Sequence, residues 1–454
     1  MFRGLARHLM GGAAIVEFAI VALVVGRCLV VPTRSVIIGY WLGLGVAALT
    51  IFALGAMGLY NLRQRVQFEG VIIRVFAAAT GVLALSVLLE WLFIESRPSP
   101  VVFVLPFSLT FMALVGSRFL LAVLLNWPAL KRRVLVYGAG RRALAVGGLR
   151  RRSDRRGFVL LGFVPAEGAP VTVPAAQQLD LDVGLTEFCA INAVDEIVVA
   201  IDERRAGLPI AELLECRLRG IIVRDVVDFL EAETGRVTIP IVTPSWFLFS
   251  KGFDQALLRK VARRIFDVTA SAVLLVLSLP VVLAAVVAIK IEEGVGAPIF
   301  YRQRRVGLAG RVFDVFKLRT MRVDAEREGR AVWATINDRR VTRVGALLRR
   351  SRIDELPQLF NVLIGDMSVV GPRPERPEFV ERLSQAIPYY SERHIVKPGI
   401  TGWAQVSYPY GASDADSLEK LQYDLYYIKH NSLGFDLSVL MQTIEVVLFG
   451  QGSR

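Results

Sequence analysis

Asp354 and Glu355 stand side by side in the run Ser351-Arg352-Ile353-Asp354-Glu355-Leu356-Pro357-Gln358-Leu359, directly behind Arg349 and Arg350. Adjacent carboxylates among guanidinium groups suit phosphate chemistry. With an unperturbed pKa near ~4, an Asp is largely ionised at pH 7 and can attack phosphorus without a general base. A neighbouring Glu can hold a Mg²⁺ that offsets diphosphate charge. A helix start accounts for the same residues, with Asp354 as N-cap, Glu355 at the positive end of the dipole and Pro357 in the first turn. The pair alone does not choose between cap and catalyst, so the surrounding elements have to.

The chain has 454 residues, 54% hydrophobic and 21% charged, with a mean hydropathy of +0.49. That is too apolar for an ordinary soluble protein of this length and implies a membrane protein with soluble parts. Apolar stretches run from Met10 to Val31, Val36 to Tyr60, Val71 to Ile94 and Val101 to Leu125, each long enough for a hydrocarbon core that needs about 20 helical residues. Glu17, Arg27, Arg74, Glu90 and Arg118 interrupt them and must face a bundle interior or snorkel. Trp91 and Trp127 fall at stretch ends, where interfacial aromatics are favoured. Arg3, Arg7, Arg63, Arg65, Lys131, Arg132 and Arg133 lie on one side of the spans, against Arg34 and Arg97 on the other. The positive-inside rule puts both ends of the bundle in the cytoplasm. No cleavable signal peptide is expected. Cys28, Cys189 and Cys216 have neither metal-ligand spacing nor a disulfide framework, which fits a reducing setting. The net charge of +13 suits anionic lipid head groups and phosphate-bearing substrates. No nucleic-acid motif accompanies it.

Strand-like runs at Arg133–Tyr137, Phe158–Val164 and Glu196–Ile201 alternate with helical patterns, which predicts a Rossmann-like α/β domain over about 131–250. Gly138-x-Gly140-x-x-Ala143 nearly matches a dinucleotide fingerprint, but no acidic residue ends the second strand. A structural or regulatory domain fits better than NAD binding. Further on, Val268–Ile289 is uncharged and long enough to span, yet both flanks are basic: Lys260, Arg263 and Arg264 before, Arg302, Arg304, Arg305 and Arg311 after. Pro280 interrupts it and cannot donate to Val276, while Ser278 is placed to bond a freed carbonyl. The expectation is a re-entrant helix-break-helix over about 265–290, with a Pro-kinked full span as the alternative.

Beyond Ile299 come Phe300-Tyr301-Arg302-Gln303-Arg304-Arg305-Val306-Gly307 and Phe316-Lys317-Leu318-Arg319-Thr320-Met321, and then the acidic pair. Gly365-Asp366-Met367-Ser368, Gly371-Pro372-Arg373-Pro374 and Lys397-Pro398-Gly399-Ile400-Thr401-Gly402-Trp403 follow in order. This ordered set resembles the bacterial sugar transferases, the monotopic polyprenyl-phosphate phosphoglycosyl transferases, from about Arg263 to the C-terminus. The preceding spans and α/β domain resemble the larger members that start exopolysaccharide repeat units, and Ala331 through Tyr410 resembles the exosortase (PEP-CTERM)-associated subgroup.

The resemblance implies a membrane α plus α/β protein: a four-helix transmembrane bundle over 1–130, the Rossmann-like domain over 131–250, and a monotopic α/β catalytic domain over 251–454 with the re-entrant helix. It implies transfer of a phosphosugar from a UDP-sugar to undecaprenyl phosphate with loss of UMP, at the cytoplasmic face of the bacterial inner membrane. Asp354 matches the family nucleophile and Glu355 the Mg²⁺ ligand. Arg373, between two prolines that hold the backbone extended, is expected to aim its fork at phosphate oxygens, or else to form a surface salt bridge. Lys317 and Arg319, two apart on a strand, share a face and can contact substrate phosphate, or line a solvated edge. Val341, Val344, Leu347 and Leu348 pattern an amphipathic helix at the membrane surface, where lipid head groups compete with substrate for Arg349 and Arg350. Asp424 matches an acidic family position, with core hydrogen bonding as the equal alternative. His394 and His430 read as structural.

Two other functions fit parts of the chain. Asp414-Ala415-Asp416 has the Asp-x-Asp form of metal-dependent glycosyltransferases, which would release UDP. The bundle and α/β domain could instead belong to a non-catalytic regulator of polysaccharide assembly.

Overall fold

The computed structural model describes residues 2–33, 36–57, 59–60, 68–93, 101–126, 131–149, 154, 157–202, 208–250, 252, 257–322, 340–408, 411 and 413–449. Arg34, Arg63, Arg65, Arg97 and Trp127 lie outside the described residues, as do the side chains of Arg3, Arg7, Cys28, Glu90 and Trp91 and both ends of the Ala331–Tyr410 stretch, 331–339 and 409–410. Two compact units result, Met1–Thr234 and Gly235–Arg454.

In the first unit the apolar stretches are helices: α1 (Phe2–Thr33), α2 (Val36–Ala56), α3 (Phe68–Phe93) and α4 (Val101–Asn126). Helix α1 packs on α2 and α4, and α3 packs on the same two. Gly43 in α2 has no side chain because a Cβ there would meet Ala22 O and the Gly26 backbone of α1 at 2.7 Å. Small residues are what allow helix backbones to approach this closely in a membrane. The interrupting charges turn inward, as expected for Glu17, Arg74 and Arg118. Arg118 Nη2 donates to Glu17 at 2.7 Å, and its Nη1 to Leu59 O at 2.8 Å. Tyr60 and Ser117 also donate to Glu17, and Arg74 donates to Met57 O at 2.8 Å. Arg27 is exposed.

The α/β domain follows, with strands β1 (Arg132–Tyr137), β2 (Phe158–Val164), β3 (Glu196–Val199) and β4 (Ile222–Asp225) in the parallel order β2-β1-β3-β4. Helices α5 (Arg141–Gly147), α6 (Leu185–Ile191), α7 (Ile210–Leu218) and α8 (Val226–Thr234) connect and cover them. Buried on both faces, β1 and β3 read as continuous apolar runs. The fingerprint turn is filled from within: Arg141 N and Arg142 N both donate to the Asp202 carboxylate at 2.8 Å. Two amides at the start of α5 are thus bonded within the domain.

The second unit starts at Gly235, so residues 235–250, including α9 (Pro244–Phe249), pack with the chain that follows. Val237 N donates to Gln422 O at 3.0 Å, and Trp403 Nε1 to Gly235 O at 2.8 Å. The hydrophobic segment is one helix, α10 (Leu257–Glu293), running through Pro280. The sequence-based break therefore does not divide it into two helices. Ser278 Oγ donates to Leu275 O at 3.3 Å, whereas Pro280 frees Val276 O. A serine two residues before the proline reaches back three or four residues and cannot reach that carbonyl.

The first turns of α10 are fixed to the unit. Arg263 donates to Val370 O at 2.6 Å, Arg264 to Val362 O and Leu363 O at 2.6 Å, and Asp267 accepts from Ser368 Oγ at 2.9 Å and Val369 N at 3.0 Å. Further along, Val276 and Leu277 are each 71% exposed, an apolar surface that suits lipid. Among the described residues α10, Gly70–Val87 and Val104–Leu124 are long and apolar enough to cross a membrane. This is a membrane protein.

Strands β5 (Phe300–Val306) and β6 (Val312–Leu318) form an antiparallel hairpin. Helices α11 (Arg343–Arg350) and α12 (Gln358–Ile364) precede β7 (Ser368–Val370), which pairs in parallel with β8 (Gly399–Thr401). Helices α13 (Pro377–Ala386), α14 (Trp403–Ser407), α15 (Asp414–His430) and α16 (Leu433–Phe449) complete the unit. Its core gathers Val362, Met367, Val369, Trp403, Leu421 and Leu425.

Glu17→Ala should destabilise the bundle by about 3–5 kcal/mol, because it leaves Arg118 buried without its counter-charge. Glu17→Gln combined with Arg118→Met should recover part of that loss. Thermal unfolding in detergent reads both, and a Glu17→Ala protein as stable as the parent would contradict the pairing.

Candidate active site

The acidic pair occupies one 3₁₀ turn, Ile353–Glu355, between α11 and α12. Helix α11 is capped by Thr342, whose Oγ1 accepts from Gly345 N at 2.9 Å. It lies so close to the Thr320 backbone that a Cβ at position 345 would collide with it. The chain then reverses at Arg352, which is left-handed at φ +58°, a conformation that costs a non-glycine residue about 1–2 kcal/mol. Both carboxylates are buried, each 7% exposed. Asp354 is not a helix cap: α12 begins at Gln358 with Pro357 at the cap position and no side-chain cap. Among the described residues, Asp354 Oδ1 has no hydrogen-bond partner. An unsatisfied buried acceptor costs about 1–3 kcal/mol, the kind of defect a substrate or cation can relieve.

Cations from three segments converge on Glu355. Arg373 Nη2, from the strap between β7 and α13, lies 2.7 Å from Oε1; Lys317 Nζ, from β6, lies at 3.1 Å, and Arg352 Nη1 at 3.7 Å. Arg373 Nη1 also reaches Oε2 at 3.5 Å. The two carboxyls are driven in opposite directions. Burial raises Asp354 above its ordinary value and the charge of Glu355 adds to the rise, against Lys317, Arg349 and Arg352. Burial would raise Glu355 as well, but Arg373, Lys317 and Arg352 outweigh it and hold the carboxyl well below the usual range. Burial lowers Lys317, with Arg373 and Arg305 adding and Glu355 and Asp354 opposing. Neighbouring carboxyls separated in this way are suited to different tasks.

Of the residues picked from sequence, Asp354, Glu355, Lys317 and Arg373 come together. Arg319 does not reach the pair: it follows β6, donates through Nε to Pro298 O at 3.1 Å and lies over the Tyr301 ring at 6.0 Å. Arg350 is exposed on α11, and it is Arg349 that acts on Asp354. Sequence reading missed Arg352 and Arg305 as parts of the site. Arg305 donates to Pro374 O at 3.0 Å and to Glu375 at 3.3 Å. Its position in the basic run Arg302–Arg305 was the available signal.

The other candidates are structural. Asp416 accepts from Ser413 N at 3.0 Å in a capping box that starts α15, and from Tyr408 OH at 2.8 Å; Asp414 pairs with Arg382 at 2.8 Å. The Asp-x-Asp pair is therefore a helix start. Burial pushes the half-buried His394 down to about 4, with Arg393 adding and a bond to Ser391 O opposing. His430 packs on Tyr426 with centroids 4.5 Å apart. Asp424 pairs in the core with Arg393 at 2.8 Å.

The profile of the Bacterial sugar transferase family matches residues 258–450. A UDP-glucose:undecaprenyl-phosphate glucose-1-phosphate transferase of Xanthomonas campestris pv. campestris is 34% identical over 355 residues, 74% of this chain and 71% of that protein. A UDP-N-acetylgalactosamine-undecaprenyl-phosphate N-acetylgalactosaminephosphotransferase of Aeromonas hydrophila is 40% identical over 252 residues, 53% of this chain and 56% of that protein. A UDP-glucose:undecaprenyl-phosphate glucose-1-phosphate transferase of Escherichia coli (strain K12) is 34% identical over 275 residues, 57% and 56% of the two chains. The chain thus spans little more than half the length of the last two relatives.

Because Glu355 titrates below its ordinary 4.5, its ion pairs stabilise the fold above that pH and are lost as pH falls through the lowered value. Glu355→Gln should cost about 1–3 kcal/mol at pH 7. The difference from the parent should shrink on acidification below about 4. Denaturant unfolding followed by tryptophan fluorescence measures it, and a pH-independent difference would count against these pairs.

Proposed function

We propose, from the premise that this chain belongs to the bacterial sugar transferase family, that it moves a sugar 1-phosphate from a UDP-sugar to undecaprenyl phosphate and releases UMP. The observation that carries the reading is a buried Asp354 with an unpartnered oxygen beside cations able to take phosphate oxygens. An oxygen of Asp354 attacks the phosphorus that bears the sugar, and the bond to the UMP oxygen breaks with its electrons leaving on UMP. An oxygen of undecaprenyl phosphate then attacks the same phosphorus and restores the Asp354 carboxylate. Burial strips water from the nucleophile and leaves it more basic, while Lys317, Arg349 and Arg352 favour its charged form. Arg373 and Lys317 grip the transferring phosphoryl group.

Magnesium belongs to the proposal. Among the described residues no group of three or more His, Cys, Asp or Glu could hold a metal ion. Glu355, with Asp354 Oδ1 beside it, suits a Mg²⁺ shared with substrate phosphates, since that ion is commonly held by one or two carboxylates plus phosphate. When bound it offsets the diphosphate charge. The relatives' names support the donor and acceptor classes, and the engagement of Asp416 in a capping box and of Asp414 by Arg382 disfavours the UDP-releasing alternative.

The basic flanks of α10 support a re-entrant path, with the second unit on the cytoplasmic side of a bacterial inner membrane. The bundle and α/β domain support a role in starting exopolysaccharide repeat units, and the likeness of the Ala331–Tyr410 sequence supports the exosortase-associated kind.

Asp354→Asn should lower turnover by at least about 10³-fold, because the amide keeps the size of Asp but cannot act as the carboxylate nucleophile. The nucleotide released by the parent with undecaprenyl phosphate should be UMP, read by chromatography. Near-parental turnover of the Asn variant, or UDP as product, would overturn the proposal.

A further inference from the structure

We infer that Arg393, held by Asp424, is a positioning residue for Arg373, fixing the strap from which that guanidinium reaches the acidic pair. The inference rests on the reading of Arg373 as a phosphate ligand given above.

The strap has no secondary structure of its own, and the carbonyls of its residues 372–375 are each held from elsewhere. Pro372 O accepts from Gly399 N at 2.9 Å, Arg373 O from Arg393 Nη2 at 2.9 Å, Pro374 O from Arg305 Nη1 at 3.0 Å and Glu375 O from Val306 N at 2.9 Å. Two of these donors are amides of strands β5 and β8 or their junctions, whose place the hairpin and the sheet already set. The bond to Arg373 itself depends on a side chain. Proline on each side limits the backbone of Arg373 to extended conformations, but φ and ψ alone do not locate the residue relative to Glu355. Its carbonyl has to be tethered.

Arg393 is built for that tether. It is 6% exposed, in the 3₁₀ turn Tyr390–Ile395. Its Nη1 donates to Tyr390 OH at 2.7 Å. Its Nη2, which donates to Arg373 O, lies 2.8 Å from Asp424 Oδ2 in an ion pair. Asp424 is 1% exposed on α15. A guanidinium this deeply buried needs a counter-charge, and Asp424 supplies it. The pair thus links α15 in the core to the backbone of a residue at the site.

The groups facing Asp424 are Arg393 and Tyr390 from the 3₁₀ turn, Glu375 from the strap and Lys420 from its own helix. Burial pushes its carboxyl up to about 6, Glu375 adds to the rise, and Arg393 and Lys420 oppose it. With the value raised, the charge on Asp424 is present above about 6 and is lost as pH falls through it. Arg393 then loses its counter-charge.

A double-mutant cycle on the full-length protein tests this, with kcat/KM for UDP-sugar as readout and thermal unfolding as the check on folding. Arg373→Ala and Arg393→Gln should each lower kcat/KM by about 10²-fold, the scale for misplacing a reacting group. The double variant should be within about twofold of Arg373→Ala, because Arg393 acts through Arg373. Multiplying losses would show that Arg393 supports the fold generally, and would overturn the inference. If Arg393→Gln does not fold, Asp424→Asn crossed with Arg373→Ala carries the same test. If kcat/KM of the parent falls as pH drops through about 6, Asp424→Asn should lack that fall, and its retention in the variant would count against the inference. Full activity of Arg373→Ala would instead sink its assignment as a phosphate ligand, a separate failure.

Discussion

A carboxylate removed from water next to a second carboxylate has to be given positive charge, and the arrangement around Glu355 meets that demand. Arg373, Lys317 and Arg352 come from a strap, a strand and the turn itself. Each segment is tied to Glu355 by charge, so the pair organises the hairpin, the turn and the strap into one site. The same cations leave Asp354 in a different state: buried, raised and with one oxygen unbonded. One residue of separation is enough to give two chemically similar groups different roles, because Glu355 takes most of the direct contacts.

The site is continuous with the membrane helix through short, specific bonds. Arg263, Arg264 and Asp267 at the start of α10 hold Val370 O, the end of α12 and the β7 backbone. Strand β7 runs directly into the strap that carries Arg373. Helix α12 follows the acidic turn. The apolar part of α10 therefore leaves the unit from a point set by the same elements that set the site, as the proposed reaction with a lipid phosphate requires.

Much of this was legible in the sequence where one physical rule dominated. Apolar length gave α2, α3 and α4, and the uninterrupted Val/Leu/Ile runs gave β1 to β3. The inward turn of Glu17, Arg74 and Arg118 followed from the cost of charge in a bilayer. The ordered motifs gave Asp354, Glu355, Lys317 and Arg373. Where tertiary packing decided, the sequence was silent or misleading. Alternation put Lys317 and Arg319 on one face, but the strand ends at Leu318 and Arg319 turns to Pro298. Arg349 and Arg350 are equivalent in composition, and only the register of α11 directs Arg349 to the acidic turn. Residues 235–250 lack a composition shift at their start, so nothing local marked Gly235 as the point where the second unit begins. Arg393 and Arg305 act on backbone carbonyls, which no side-chain pattern reveals.

The proposed reaction requires Asp354 to form a covalent bond to the transferred phosphoryl group. The most direct test is mass spectrometry of the protein mixed with UDP-sugar in the absence of any lipid acceptor, quenched and digested. The expected result is one phosphosugar adduct on the peptide carrying Asp354, formed together with UMP. An adduct on another residue, or UMP released only once undecaprenyl phosphate is added, would contradict it.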